Sequence, residues 1–154
     1  SMRLATTVSL ALAFTAGIAV TPLTQHFLPS AHAQAAGLTP MVVDIAAIKE
    51  AELPTTPNPD LRSKGLVSHE HGTIAVQMGN VAKHFHTNAD EIQYIVEGTG
   101  TAWLGDKQIE LRPGILVIIP KGTHHAGTVQ TSGRFKALAI KLPPQAPTDT
   151  TFVN

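Results

Sequence analysis

From Gly65 to residue 142 Gly and Pro recur at intervals of about ten residues, with one longer stretch over 80–97, and the pieces between them read as short β segments rather than as a long helix. The intervening pieces are short and rich in Val, Ile and Thr, residue types that suit a pleated, half-buried surface. Residues 66–78 end at Gly79-Asn80, and residues 81–86 form a second candidate strand. Residues 91–97 (EIQYIVE) end at Gly98-Thr99-Gly100, and residues 101–104 turn at Gly105-Asp106. Residues 108–111 end at Pro113-Gly114, residues 115–119 at Pro120-Lys121-Gly122, and residues 134–142 make the last strand. Many short strands with regular turns predict an all-β sandwich or barrel.

The N-terminal part reads differently. Met2 and Arg3 precede an uncharged, largely apolar run over residues 4–20, then a more polar stretch with Pro22 and Pro29, then Ala31-His32-Ala33. That order predicts a secretory signal peptide over residues 1–33, cut after Ala33, with Ser1 read as the remnant of an expression tag. A retained membrane anchor or a helix docked on the domain are the alternatives, although the run is at the short limit for spanning a bilayer. Export implies a periplasmic or secreted protein. Residues 34–64 are expected to hold an exposed leader, a strand with a helical turn over 41–51, and a Pro-rich loop over 53–64. The barrel is expected over 65–145, with a tail over 146–154.

No cysteine is present among the 154 residues, so disulfides, thiolate catalysis and thiolate metal sites are excluded. Eleven basic residues balance eleven acidic ones, which is unlike the basic face of a nucleic-acid binder. The expected partners are a small molecule and a second copy of the chain, with no membrane association once the leader is removed.

The chemistry is concentrated in one pattern. His84 and His86 lie two apart, so on a strand both imidazoles project from one face. Glu91 opens the next strand after the turn 87–90, and a hairpin there would return it beside the two rings. His125 follows Pro120-x-Gly122, where the chain leaves another strand. Imidazoles with a carboxylate suit a divalent transition metal such as Fe, Mn, Co, Ni, Cu or Zn. Four protein ligands leave one or two positions open.

These residues resemble the cupins. The first cupin motif, G-x5-H-x-H-x(3,4)-E-x6-G, is matched by His84, His86, Glu91 and Gly98, with Gly79 offset by one position. The second, G-x5-P-x-G-x2-H-x3-N, is matched by Gly114, Pro120, Gly122 and His125, with Val129 in place of the terminal Asn. The resemblance implies a double-stranded β-helix, or jelly-roll barrel, with one metal ion on His84, His86, Glu91 and His125. It also implies pairing into a homodimer, for which the apolar segment 41–45 is the expected sheet-extending strand.

The other polar residues carry weaker expectations. Gln93 shares the parity of Glu91 and is expected to line the pocket or to hydrogen-bond a ligand. His69 and His71 are read as a solvated strand face or as a contribution to the pocket rim. Tyr94 and His124 should point away from the metal, and Trp103 is placed in the core. No acid or base beyond the ligands is found at inward positions of the motifs, so Glu91 itself is the candidate catalytic base. The functional expectation is a metal-dependent enzyme on a small oxygen-bearing substrate, dioxygenase-like ahead of isomerase or lyase. The alternative is a periplasmic protein that binds a metal or small ligand without chemistry.

Overall fold

The computed structural model describes residues 38–153, and the leader expected over residues 1–33 lies outside them. Eight strands follow one short 3-10 turn at Glu50–Glu52. They are β1 (Leu61–His69), β2 (Gly72–Gly79), β3 (His84–Phe85), β4 (Asp90–Leu104), β5 (Lys107–Leu111), β6 (Leu116–Ile119), β7 (His125–Leu142) and β8 (Thr151–Phe152). No described helix is long and apolar enough to cross a membrane.

Two long strands organise the barrel. β4 and β7 pair antiparallel along most of their length and bend together, so each belongs to two walls. One wall runs β1, β2, β7, β4, β6, and the other runs β8, β3, β7, β4, β5. The corner lies where the register shifts around Glu97 to Gly100. Gly98 has φ +85°, and a Cβ there would lie 2.8 Å from the carbonyl oxygen of Arg134, so only glycine fits. The alternation expected of strands is visible in burial. Along β4, Glu91 and Ile95 face inward while Tyr94 is exposed, and along β6 Val117 and Ile119 face inward while Leu116 and Ile118 are exposed. The interior is filled by Ile95, Ala102, Leu111, Val117, Ile119, Phe135 and Ala137.

Several sequence expectations change. Residues 66–78 are not one strand, because Glu70 and His71 turn the chain between β1 and β2, and β1 begins at Leu61. Gly98 and Gly100 bend β4 without ending it, since the ladder to β7 continues through them. Segment 41–45 forms no strand. Instead Ile45, Ile48 and Leu53 pack on Val76 and Met78, so this stretch covers the outer face of β2 and β7. It is tied there by Lys136, which is almost fully buried and donates to Ala46 O (3.0 Å) and Glu97 Oε1 (2.5 Å). At the other end, the tail supplies β8, which pairs with β3.

Candidate metal centre

Each of the four motif residues is delivered by a different part of the framework. His84 sits opposite His125 in the β3–β7 pair. Glu91 lies between Ile119 of β6 and Lys141 of β7. β3 and β4 do not pair, so Glu91 reaches the histidines through the closure of the barrel rather than through a hairpin. All four are buried, and one ligand atom from each lies within 4.8 Å of all the others. Just after His125 the backbone enters the left-handed region at Ala126 (φ +66°) and Gly127 (φ +58°), a bulge at the edge of the site.

The orientation of the rings is set by the main chain. Each Nδ1 contacts a backbone carbonyl: His84 with Ala82 O (2.8 Å), His86 with Asp149 O (2.5 Å) and His125 with Thr123 O (2.9 Å). A carbonyl oxygen only accepts, so Nδ1 carries the proton in each ring and Nε2 turns inward. His86 Nε2 is 3.0 Å and His125 Nε2 3.2 Å from Glu91 Oε2. Atoms that otherwise both accept come this close only with positive charge between them. A divalent ion supplies that charge to all four groups at once, and imidazole nitrogens with a carboxylate oxygen are a donor set that such ions prefer. The cluster is therefore compatible with a metal ion.

A fifth group was not anticipated. Lys141 Nζ lies 2.5 Å from Glu91 Oε2 and 2.6 Å from His86 Nε2, and its side chain is only 10% exposed. Burial pulls its pKa down, and Glu91 offsets only part of that. Burial likewise opposes the charge of Glu91, but the His125 and His86 rings and Lys141 outweigh it and hold the carboxyl well below its ordinary range. Lys141 could have been found by parity. In 134–142 the inward positions are Phe135, Ala137, Ala139 and Lys141, and the run of small residues ends in a lysine beside the site.

The tail also takes part. The Asp149 carboxylate accepts from the backbone N–H groups of Thr87 (2.8 Å), Asn88 (3.1 Å) and Ala89 (3.1 Å). Burial opposes its charge, yet these donors lower its pKa. It thereby fixes the turn between His86 and Glu91, while its own carbonyl holds His86. Asp149→Ala is expected to lower the melting temperature by several degrees and to weaken metal binding by roughly 10- to 100-fold, the usual range for groups that orient ligands. Calorimetric melting and metal titration measure the two effects.

His84 is one group through which acid lowers the stability of the fold. Burial pushes its pKa from 6.5 down to about 4, against the help of Ala82 O, with the neighbouring rings adding to the fall. The unfolded chain thus takes up a proton at His84 between those values while the folded chain does not. The stability this residue contributes is complete above pH 6.5 and is lost as pH falls through about 4, by about 3 kcal/mol. Glu91, with its pKa also lowered, adds to the loss only at more acid pH. Urea midpoints of metal-free protein at neutral pH and near pH 4 check this.

The remaining candidates separate cleanly. Gln93 donates to Glu91 Oε1 (2.8 Å) and lines a cavity of about 360 Å³ beside the cluster, together with Gln77, Lys141, Gln145 and Thr150. His69 and His71 do not reach that cavity. They sit at the β1–β2 turn with their rings 5.1 Å apart, and the His71 side chain is 82% exposed. His124 turns away from the cluster and stacks on Phe85. Trp103 is not core: it is 37% exposed, with Lys83 Nζ 4.6 Å from its ring centre.

Comparison with known proteins agrees with this fold. Residues 71–141 match the family model described as the cupin domain. An uncharacterized protein of Methanocaldococcus jannaschii is 32% identical over 73 residues, covering 46% of this chain and 57% of that protein, so the match spans little more than half of the relative. Among solved structures, an uncharacterized Klebsiella pneumoniae protein with a double-stranded β-helix domain superposes with a TM-score of 0.56 at 13% identity, covering 70% of this chain and 96% of that one. Pac13 from Streptomyces, a nucleoside dehydratase, gives 0.54 at 14% identity, over 69% and 88%. KdgF of a Halomonas species gives 0.52 at 19% identity, over 58% and 84%. These likenesses concern the fold.

Proposed function

The chain belongs to the cupin superfamily, and from that premise we propose that it is a metal-dependent enzyme acting on a small oxygen-bearing molecule held in the cavity beside His84, His86, Glu91 and His125. One observation carries the reading: three imidazoles, each fixed by a backbone carbonyl at Nδ1, gather with one carboxylate so that a ligand atom of each lies within 4.8 Å of the others, beside a cavity large enough for a small ligand. A bound divalent ion (Fe, Mn, Ni, Cu, Co or Zn) supplies Lewis acidity and a template for a substrate oxygen, and in the case of Fe or Cu also reactivity toward dioxygen.

The chain's own groups do the rest. Glu91 is the candidate base, Gln93 steadies its second oxygen, and Lys141 offers a proton-bearing group in contact with Glu91. Dioxygenase-like chemistry remains the favoured class. Isomerase or lyase chemistry is supported by Lys141, because a second proton-transfer group beside the carboxylate is what such reactions use. Elemental analysis of protein taken from its native compartment, followed by aerobic and anaerobic turnover screens, tests the reading. About one ion per chain with metal-dependent turnover is the expected result. Tight metal retention without turnover in any screen would assign the chain to metal or ligand binding instead.

We extend the proposal to location and assembly. The leader over residues 1–33 supports export to the periplasm or beyond, and a mature N-terminus at Gln34 is expected on sequencing. The exposed Tyr94, Leu116 and Ile118 form an apolar strip on neighbouring β4 and β6, which supports a homodimer. A scattering mass of one chain would refute that part.

A further inference from the structure

The cavity beside the cluster holds an imbalance of charge that its own walls do not correct. Among the described residues lining it, Glu91 is the one carboxylate and Lys141 the one cation outside the imidazoles. The other polar lining groups, such as Asn58, Gln77 and Gln145, are neutral. Asp149 lies outside the lining with its carboxylate turned toward the backbone of residues 87–89, although its charge still reaches Lys141. Without an ion, Lys141 and Glu91 neutralise each other across 2.5 Å. A divalent ion on the four ligands changes the sum. Its two positive charges meet the single negative charge of Glu91, and Lys141 adds further positive charge beside them. With Asp149 counted as well, the sum is still positive because of the lysine. Uncompensated charge in a buried, poorly polarisable site is costly, and an anion entering the cavity removes the cost.

Geometry says where the anion goes. The ion takes the His86 Nε2 lone pair that Lys141 Nζ now contacts at 2.6 Å, so the lysine loses an acceptor and has to find another. Lys141 already lines the cavity, and an acceptor placed there by a ligand lies within its reach. We propose that the ligand of this site is a small organic anion, a carboxylate with a neighbouring hydroxyl or carbonyl oxygen, and that Lys141 is the residue that selects it. One carboxylate oxygen engages the lysine, and the remaining oxygens face the open side of the ion. The inference rests on the metal-site reading above and adds to it the chemical class of the ligand.

The test uses lactate and propane-1,2-diol, which differ in carrying a carboxylate or a neutral alcohol at the same carbon. Manganese stoichiometry is measured first, by elemental analysis after loading. Calorimetric titration of the loaded protein should then show lactate binding at least about tenfold more tightly than the diol, as a charge-assisted contact in a buried site implies. In metal-free protein that preference should vanish, because Glu91 keeps Lys141 occupied. Lys141→Met should retain its manganese and lose about tenfold or more in lactate affinity, with the diol unaffected. Lys141→Gln serves as a second variant if the first folds poorly. Loaded protein that binds lactate no better than the diol, or a loaded Lys141 variant that binds lactate as the parent does, overturns the inference while leaving the metal site intact. Failure to take up manganese at all overturns the metal-site reading and this inference with it.

Discussion

His86→Ala is expected to lose metal binding by at least about 100-fold and to lose all metal-dependent turnover, while the barrel remains folded. The ring sits where three structural demands meet. Its Nδ1 contacts Asp149 O at 2.5 Å, its Nε2 faces Glu91 at 3.0 Å, and Lys141 approaches the same nitrogen at 2.6 Å. Removing the imidazole deletes one candidate ligand outright and frees the Asp149 carbonyl, while the Asp149 carboxylate still holds residues 87–89. The loss should therefore exceed the 10- to 100-fold expected when only an orienting group such as Asp149 is changed. The fold should survive, because the apolar interior of Ile95, Val117, Ile119 and Phe135 does not include His86. Metal titration with circular dichroism of the same sample separates the two outcomes. Turnover by metal-free protein at the parent rate would refute the assignment.

The His84–His86 pair of the candidate cluster was legible in the sequence because it depends on short-range spacing, whereas Glu91 and His125 join it through closure of the barrel. An H-x-H pair on an extended segment shares a face whatever the strand pairs with, and the turn residues Pro120 and Gly122 kept their places in the fold, whereas Gly98 bends β4 instead of ending a strand. The barrel class was legible for the same reason, since alternating burial in 91–95 and 116–119 is a local property. What could not be read is what the long strands bring together. Lys141 is fifty residues from Glu91 in the chain, and it becomes its neighbour only through the β4–β7 register. Asp149 lies in a Pro-rich stretch with no strand signal, and its role depends on three backbone donors across the molecule. The segment 41–45 shows the opposite error. Its apolar residues suit a strand, but Ile45 contributes to covering the outer face of β2 and β7, where the segment forms no strand. Strand propensity reports a fit to a half-buried surface, and a covering loop offers the same burial. His69 and His71 repeat the H-x-H spacing of His84 and His86, but His69 ends β1 and His71 lies in the turn, where the alternation that would align them is broken.

Glu91→Ala in the metal-free protein is expected to cost about 3–5 kcal/mol of stability, more than a change of one buried side chain of that size usually does. The reason is Lys141. Its ammonium is almost enclosed and has Glu91 Oε2 at 2.5 Å as its one charged partner at that distance among the described contacts. Loss of the carboxylate leaves either a buried, unpaired cation or a lysine that must give up its proton, and both raise the free energy of the folded state. The approach of Glu91 to His86 and His125 also disappears, leaving their Nε2 atoms beside the stranded lysine. Replacing both partners should be much milder. In Glu91→Ala/Lys141→Met the orphaned charge is gone and the methionine chain fills part of the vacated space, so most of the lost stability should return. Denaturant melts of the parent, the two single variants and the double variant give the coupling energy directly, and a value above about 2 kcal/mol is expected for a pair this close and this buried. Additive losses would show that Lys141 finds its stabilisation elsewhere, and with that the charge argument for the whole site would fail.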